Sequence, residues 1–286
     1  MRNIIEVEGN RDFHALPTGE VLRCRTSGEL HQRYYLYLPD DFHKTTPLLV
    51  SVHGISRNAR GHALRFADFA EHYGVALLVP RFNRRLFPDF QRLGREQRGL
   101  RADHALHAML HEVSDLTGLD TQRIYMFGYS GGGQFTHRYA MAYPEQVVAI
   151  AIGAAGWYTL PDLQFKYPYG IAPNRRLPEL RFNAEHFLRI PACAFVGEQD
   201  CKRDNALRQS SQIDALQGQT RLERARCWIA SMREAALTYG YDTHYQMEVL
   251  PNSDHSFSRS VRFGGLGERV FRFLFETCEM SYAQEC

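Results

Sequence analysis

The sequence predicts an α/β protein built on a mostly parallel central sheet with helices on both faces. Three observations carry that prediction. Short, continuous apolar runs recur along the chain, stretches of helical period separate them, and glycine or proline marks the junctions. A run that is apolar on both faces suits a strand sandwiched between two helical layers. Strands that alternate with helices imply a mostly parallel sheet.

After an irregular opening, RYYLYLP (33–39) alternates like a strand with one covered face. LLVSVHG (48–54) is a buried strand ending in glycine, 60–73 a helix, and VALLVPRF (75–82) the next buried strand. A helix over 99–117 leads to the short strand IYMFGYS (124–130). GGGQFTHRYAMAYP then starts with glycines and ends at proline, the punctuation of a helix of about ten residues. Further strands follow at 147–156, 192–200 and 245–252, with helices at 221–239 and 260–277.

Residues 157–190 interrupt the alternation. This aromatic-rich stretch, with Trp157, Tyr158, Phe165, Tyr167 and Tyr169, is too long for a simple connection and reads as a cap excursion. There is no internal repeat, low-complexity tract or linker. Residues 1–286 are therefore expected to form one domain with a cap insertion at about 157–190.

With 286 residues, 44% of them hydrophobic and 23% charged, the chain can bury a sizeable core. A formal net charge of +2 makes no case for nucleic acid or an anionic membrane as partner. The first twenty residues lack the apolar run of a signal peptide, and no segment approaches the roughly 20 apolar residues of a membrane helix. A cytoplasmic location is expected. None of the six cysteines falls in a CxxC pair, so reduced thiols are expected, with a Cys193–Cys201 disulfide as the alternative.

Gly128-Tyr129-Ser130-Gly131-Gly132 matches G-x-S-x-G where a buried strand meets a helix. In such a nucleophile elbow, a tight turn lifts the serine hydroxyl above the sheet edge. Glycines two residues before and after it avoid clashes. The same turn aims the Gly131 N–H and the helix N-terminus at a developing oxyanion. A capped glycine-rich helix start or a phosphate-binding turn is the competing reading, but a Walker lysine and G-x-G-x-x-G spacing are both absent.

A serine hydroxyl needs a base. His255, in the turn-rich PNSDHSF after the last strand, lies at the same carboxyl edge of the sheet. The base needs a carboxylate to fix its tautomer, and Asp200 ends VGEQD just past another strand at that edge. Asp204 and Glu198 compete locally for this role. The chain order Ser130, Asp200, His255 is the order of a catalytic triad in this kind of sheet. The loop after LLVSVHG supplies the second oxyanion-hole donor, the Ile55 N–H, with His53 bracing the loop and Gly54 permitting close approach.

These motifs, VSVHGISRNARGHALRFADFAEHYGVALLVPRF, FGYSGGGQFTHRYAMAYPEQV, VGEQD and PNSDHSF, resemble the α/β-hydrolase superfamily over about residues 30–277. Within it, the chain resembles polyhydroxybutyrate depolymerase, feruloyl esterase and dienelactone hydrolase relatives. The resemblance implies the α/β-hydrolase fold and a serine esterase with the triad Ser130, Asp200 and His255. It implies no metal or organic cofactor. A serine nucleophile departs from the cysteine of dienelactone hydrolases, and the missing export signal argues against a solid polymer.

Two other features stand out. His104, His107 and His111 share one helical face, but Leu106, Met109 and Leu110 hold the opposite one. The histidines are therefore expected in solvent rather than on a metal. The arginine-rich stretch 81–101 reads as a solvated loop, with a carboxylate clamp as the functional alternative. Trp157, Tyr158 and Tyr129 are candidate substrate-binding residues.

The expected function is two-step acyl transfer from a small or oligomeric ester. The alternatives are an amidase or peptidase using the same residues, or a non-catalytic binding protein on the same fold. The sequence leaves the oligomeric state open.

Overall fold

The computed structural model describes residues 3–7, 16–28, 31–174, 177 and 179–277. The strands are β1 (Ile4–Glu6), β2 (Val21–Arg25), β3 (Arg33–Tyr37), β4 (Leu48–Val52), β5 (Ala76–Pro80), β6 (Ile124–Tyr129), β7 (Val147–Gly153), β8 (Ala192–Gly197) and β9 (Tyr245–Leu250). The helices are α1 (Ala59–His72), α2 (Ala102–Thr117), α3 (Gly131–Ala142), α4 (Ala184–Phe187), α5 (Ser211–Gln217), α6 (Arg221–Thr238), α7 (Phe257–Phe263) and α8 (Leu266–Arg272).

The strands form one sheet in the order β1-β2-β3-β5-β4-β6-β7-β8-β9. From β5 to β9 every neighbouring pair is parallel, and β3 runs against both of its neighbours. Two apolar layers flank the sheet. Residues of α2, α3 and α6 pack on one face, and those of α1 and α8 on the other. The chain passes from β4 to β5 on one side, then crosses back beyond β4 to β6. Loops leaving β4 and β6 therefore diverge at a topological switch point at the carboxyl edge.

Several elements differ from the sequence expectation. The opening is not wholly irregular, because β1 and β2 extend the sheet. That extension, with α1 beside it, buries β3 on both faces rather than one: Tyr34 and Leu36 join one apolar layer, Tyr35 and Tyr37 the other. The last helix is broken into α7 and α8 at Gly264-Gly265, where Gly265 takes a left-handed φ of 65°.

Between β7 and β8, the only helix of the 157–190 excursion is the four-residue α4; residues 175, 176 and 178 are outside the described set. The excursion is tied down at its base. The Thr159 N–H donates to His137 Nε2 on α3 at 3.0 Å, and Trp228 Nε1 of α6 donates to the Thr159 carbonyl at 3.0 Å.

Cys193 is buried in β8 and Cys201 is exposed in the loop beyond it, with no disulfide joining them. Cys278 and Cys286 lie outside the described residues. No helix among the described residues is long and apolar enough to cross a membrane.

Trp228 is wholly buried, with its ring stacked on Tyr158 at 5.1 Å. Trp228→Ala should lower the unfolding free energy by about 3–5 kcal/mol in urea titrations. A loss below about 1 kcal/mol would mean that the base of the excursion is not anchored through this ring.

Candidate active site

The carboxyl edge of the sheet brings together residues far apart in sequence. Ser130 sits in the turn between β6 and α3 with φ 56° and ψ −113°, a conformation that costs a non-glycine residue free energy. The surrounding structure enforces it. The Ser130 N–H donates to the Gly153 carbonyl at 2.7 Å, and the Ser130 carbonyl accepts from the Gln134 N–H at 3.1 Å.

The flanking glycines have a steric cause. A Cβ on Gly128 would lie 2.2 Å from the Gly132 carbonyl oxygen, and one on Gly132 would lie 1.9 Å from that of Val52. No side chain fits at either position.

His255 Nε2 is 3.0 Å from Ser130 Oγ, and His255 Nδ1 is 2.7 Å from Asp200 Oδ2. His255 is partly exposed, whereas Asp200 is buried. The β8 and β9 loops that carry them are laced together. Glu198 N–H donates to the Leu250 carbonyl at 2.9 Å, and Gln199 N–H to that of Ser253 at 2.9 Å. A Cβ on Gly197 would lie 2.3 Å from the Ser253 carbonyl oxygen, so the close approach requires glycine. Of the competing carboxylates, Glu198 is exposed, and Asp204 pairs with Arg221 instead of His255.

The loop after β4 lies against the turn. The Ile55 nitrogen is 3.3 Å from where a Gly131 Cβ would stand, so Ile55 lies directly against the turn. His53 holds this loop. Its Nε2 accepts the Phe82 N–H at 3.1 Å, which leaves Nδ1 as the donor to the Gly54 carbonyl at 2.8 Å. That carbonyl also accepts the Arg57 N–H at 3.0 Å. In a trans peptide the carbonyl and the following N–H point in opposite directions. Anchoring the Gly54 carbonyl thus fixes where the Ile55 N–H points.

The three aromatic candidates have structural partners. Tyr129 is buried, with its hydroxyl 3.2 Å from Ser260 Oγ and its ring 5.8 Å from that of His255. Trp157 is buried beneath the guanidinium groups of Arg138 and Arg92, at 4.3 and 5.5 Å. Tyr158 is 0% exposed, and its backbone exchanges two hydrogen bonds with the Gln217 amide. In this conformation Tyr158 has no surface to offer a ligand.

His107 is not in solvent as its helical face suggested. It is half-buried against Tyr143, with ring centroids 4.5 Å apart, because the excursion and the end of α3 close over that side of α2. Among the described residues, no three His, Cys, Asp or Glu side chains converge as a metal site. Three of the seven arginines of 81–101 have local acidic partners: Arg95 and Arg98 pair with Asp89 at 3.4 and 3.2 Å, and Arg101 reaches Glu179 at 2.9 Å.

Sequence reasoning missed Arg221, which contacts Asp200. A signal was available. Thr220 and Glu223 form a capping box, which makes Arg221 the first residue of a helix, where the dipole disfavours a cation.

No family model and no curated protein sequence matches the chain. Solved structures do. A poly(aspartic acid) hydrolase from Sphingomonas sp. KT-1 superposes with a TM-score of 0.75 at 24% identity, covering 90% of this chain and 100% of the other. The fold is the α/β-hydrolase fold. A poly(3-hydroxybutyrate) depolymerase from Bordetella parapertussis gives 0.69 at 22% identity, over 89% of this chain and 95% of its own. An S-formylglutathione hydrolase from Agrobacterium tumefaciens gives 0.58 at 14%, over 90% and 94%. These α/β-hydrolase-fold neighbours share the mostly parallel sheet and its flanking helices with this chain.

Burial sets the protonation of three histidines. It pushes His53 down to about 4, against a weaker upward pull from its bond to the Gly54 carbonyl, and it holds His62 and His137 well below the ordinary histidine value. Each is neutral when folded and takes up a proton more readily when unfolded. Stability should therefore be fully present above pH 6.5 and fall as the pH drops toward 4. His53 alone contributes a loss of roughly 3 kcal/mol. Urea midpoints at pH 7.5 and 5 check this, and equal midpoints would contradict it.

Proposed function

We propose that the chain is a serine hydrolase that cleaves a carboxylic ester through an acyl-enzyme on Ser130. The supporting observation is the continuous hydrogen-bonded chain from Ser130 Oγ through His255 to buried Asp200, on a turn held at positive φ. In the first step Ser130 Oγ bonds to the substrate carbonyl carbon while its proton passes to His255 Nε2. Asp200 keeps Nδ1 protonated and stabilises the imidazolium. The carbonyl oxygen, now anionic, takes hydrogen bonds from the Gly131 and Ile55 amides. Collapse breaks the C–O bond, and His255 returns the proton to the departing alcohol. Water repeats the sequence on the acyl-enzyme and releases the acid. Small or soluble oligomeric esters suit this reading best.

A fluorophosphonate that captures activated serines tests it. Intact mass should rise by a single adduct on the native protein and stay unchanged for Ser130→Ala. Well-folded native protein without an adduct would instead favour a non-catalytic binding protein on this fold.

A second reading, cleavage of an amide in an acidic chain, is favoured by Arg92 beside Trp157. Arg92, only partly buried, makes no ion pair among the described residues, and one structural neighbour is a poly(aspartic acid) hydrolase. On that reading, an acyl ester ending in a carboxylate should have a several-fold higher kcat/KM than a neutral ester of equal length. The preference should shrink in high salt. Equal kcat/KM values would remove the second reading.

A further inference from the structure

We propose that Arg221 is a positioning residue of this site: its buried guanidinium aims the Asp200 carboxylate at His255, and Asp204 compensates its charge. The inference rests on the reading of Ser130, His255 and Asp200 given above.

Arg221 opens α6 with its side chain 0% exposed. Nη1 donates to Asp200 Oδ1 at 2.8 Å and to Asp204 Oδ2 at 3.2 Å, while Nη2 donates to Asp204 Oδ1 at 3.0 Å. The other Asp200 oxygen, Oδ2, faces His255 Nδ1 at 2.7 Å. A carboxylate is rigid and planar, so holding Oδ1 sets the direction of Oδ2. Bulk water cannot do this at so buried a position. A lysine could bring the charge, but only the planar guanidinium fork spans both carboxylates.

The helix does not account for Arg221. The capping box of Thr220 and Glu223 already satisfies the start of α6, and the macrodipole opposes a cation there. The charges do account for it. Asp200 with Arg221 alone would be neutral and would lose the negative charge that stabilises a developing imidazolium. Asp204 restores a net charge of −1 to the group, with its side chain 41% exposed. Burial raises the Asp204 carboxyl, but the hydrogen bond and charge of Arg221 outweigh this and hold it below its usual value.

Other polar groups border His255. Tyr129 lies on β6, Ser130 on the turn, and Asp254, in its own loop, pairs with Arg259 of α7 at 3.3 Å. Arg221 and Asp204 are thus the pair whose removal changes the field at the imidazole in opposite senses.

The test is the rate of fluorophosphonate adduct formation against pH, measured on the full chain with Arg221→Met, Arg221→Lys and Asp204→Asn, alongside thermal unfolding. Loss of the cation in Arg221→Met should lower the plateau rate by about ten- to a hundredfold through misalignment. Its acidic limb should move to higher pH. Asp204→Asn leaves the cation uncompensated. Its limb should move to lower pH by about half a pH unit, with a smaller loss of plateau rate. Arg221→Lys should lower the plateau with its limb near the native position.

Opposite movement of the two limbs is what general loosening of the fold would not produce. Limbs that move together, or native profiles in all three variants, would overturn the proposal. If Arg221→Met fails to fold, an unmoved limb in Asp204→Asn overturns it alone. Native protein that forms no adduct would instead remove the underlying reading of Ser130, and this inference with it.

Discussion

The turn at Ser130 is the constraint on which the rest of the site depends. A positive φ at a serine is unfavourable in isolation, and it persists here because β6 is locked between β4 and β7 while α3 starts at once. The crossing is so tight that the Val52 carbonyl occupies the space of any Cβ on Gly132. The same closeness sets Gly131 against Ile55. One packing constraint therefore fixes both the Ser130 turn and the loop that lies against it.

The opposite side of the site is built by a different device. Asp200 and His255 come from loops that leave adjacent strands, and direct backbone hydrogen bonds between those loops remove their freedom. The result is a carboxylate and an imidazole held on separate but interlocked supports, with the Tyr129 ring 5.8 Å from the imidazole. Interlocking of this kind leaves little freedom to either side chain's support.

Buried polar groups knit the layers around this edge. His53 joins the loop after β4 to Phe82, His137 joins α3 to the base of the excursion, and Arg224 of α6 reaches the Gly156 carbonyl and Asp214. Burial keeps the two histidines neutral, and each of these side chains connects one part of the scaffold around the site to another.

Much of the architecture was legible in the sequence, because periodicity and glycine punctuation are local. The runs 48–54, 75–82 and 124–130 already read as buried strands, and the G-x-S-x-G turn marked Ser130. Chain order and position at the carboxyl edge then pointed to Asp200 and His255. Tertiary structure alone decided the rest. The burial of β3 depended on a strand added outside it, and the burial of Tyr158 on α5 and α6 folding back across the excursion. The engagement of Asp204 by Arg221 depended on two segments meeting in space. Such pairings are set by contacts between residues distant in the chain, and spacing along the sequence carries no record of them.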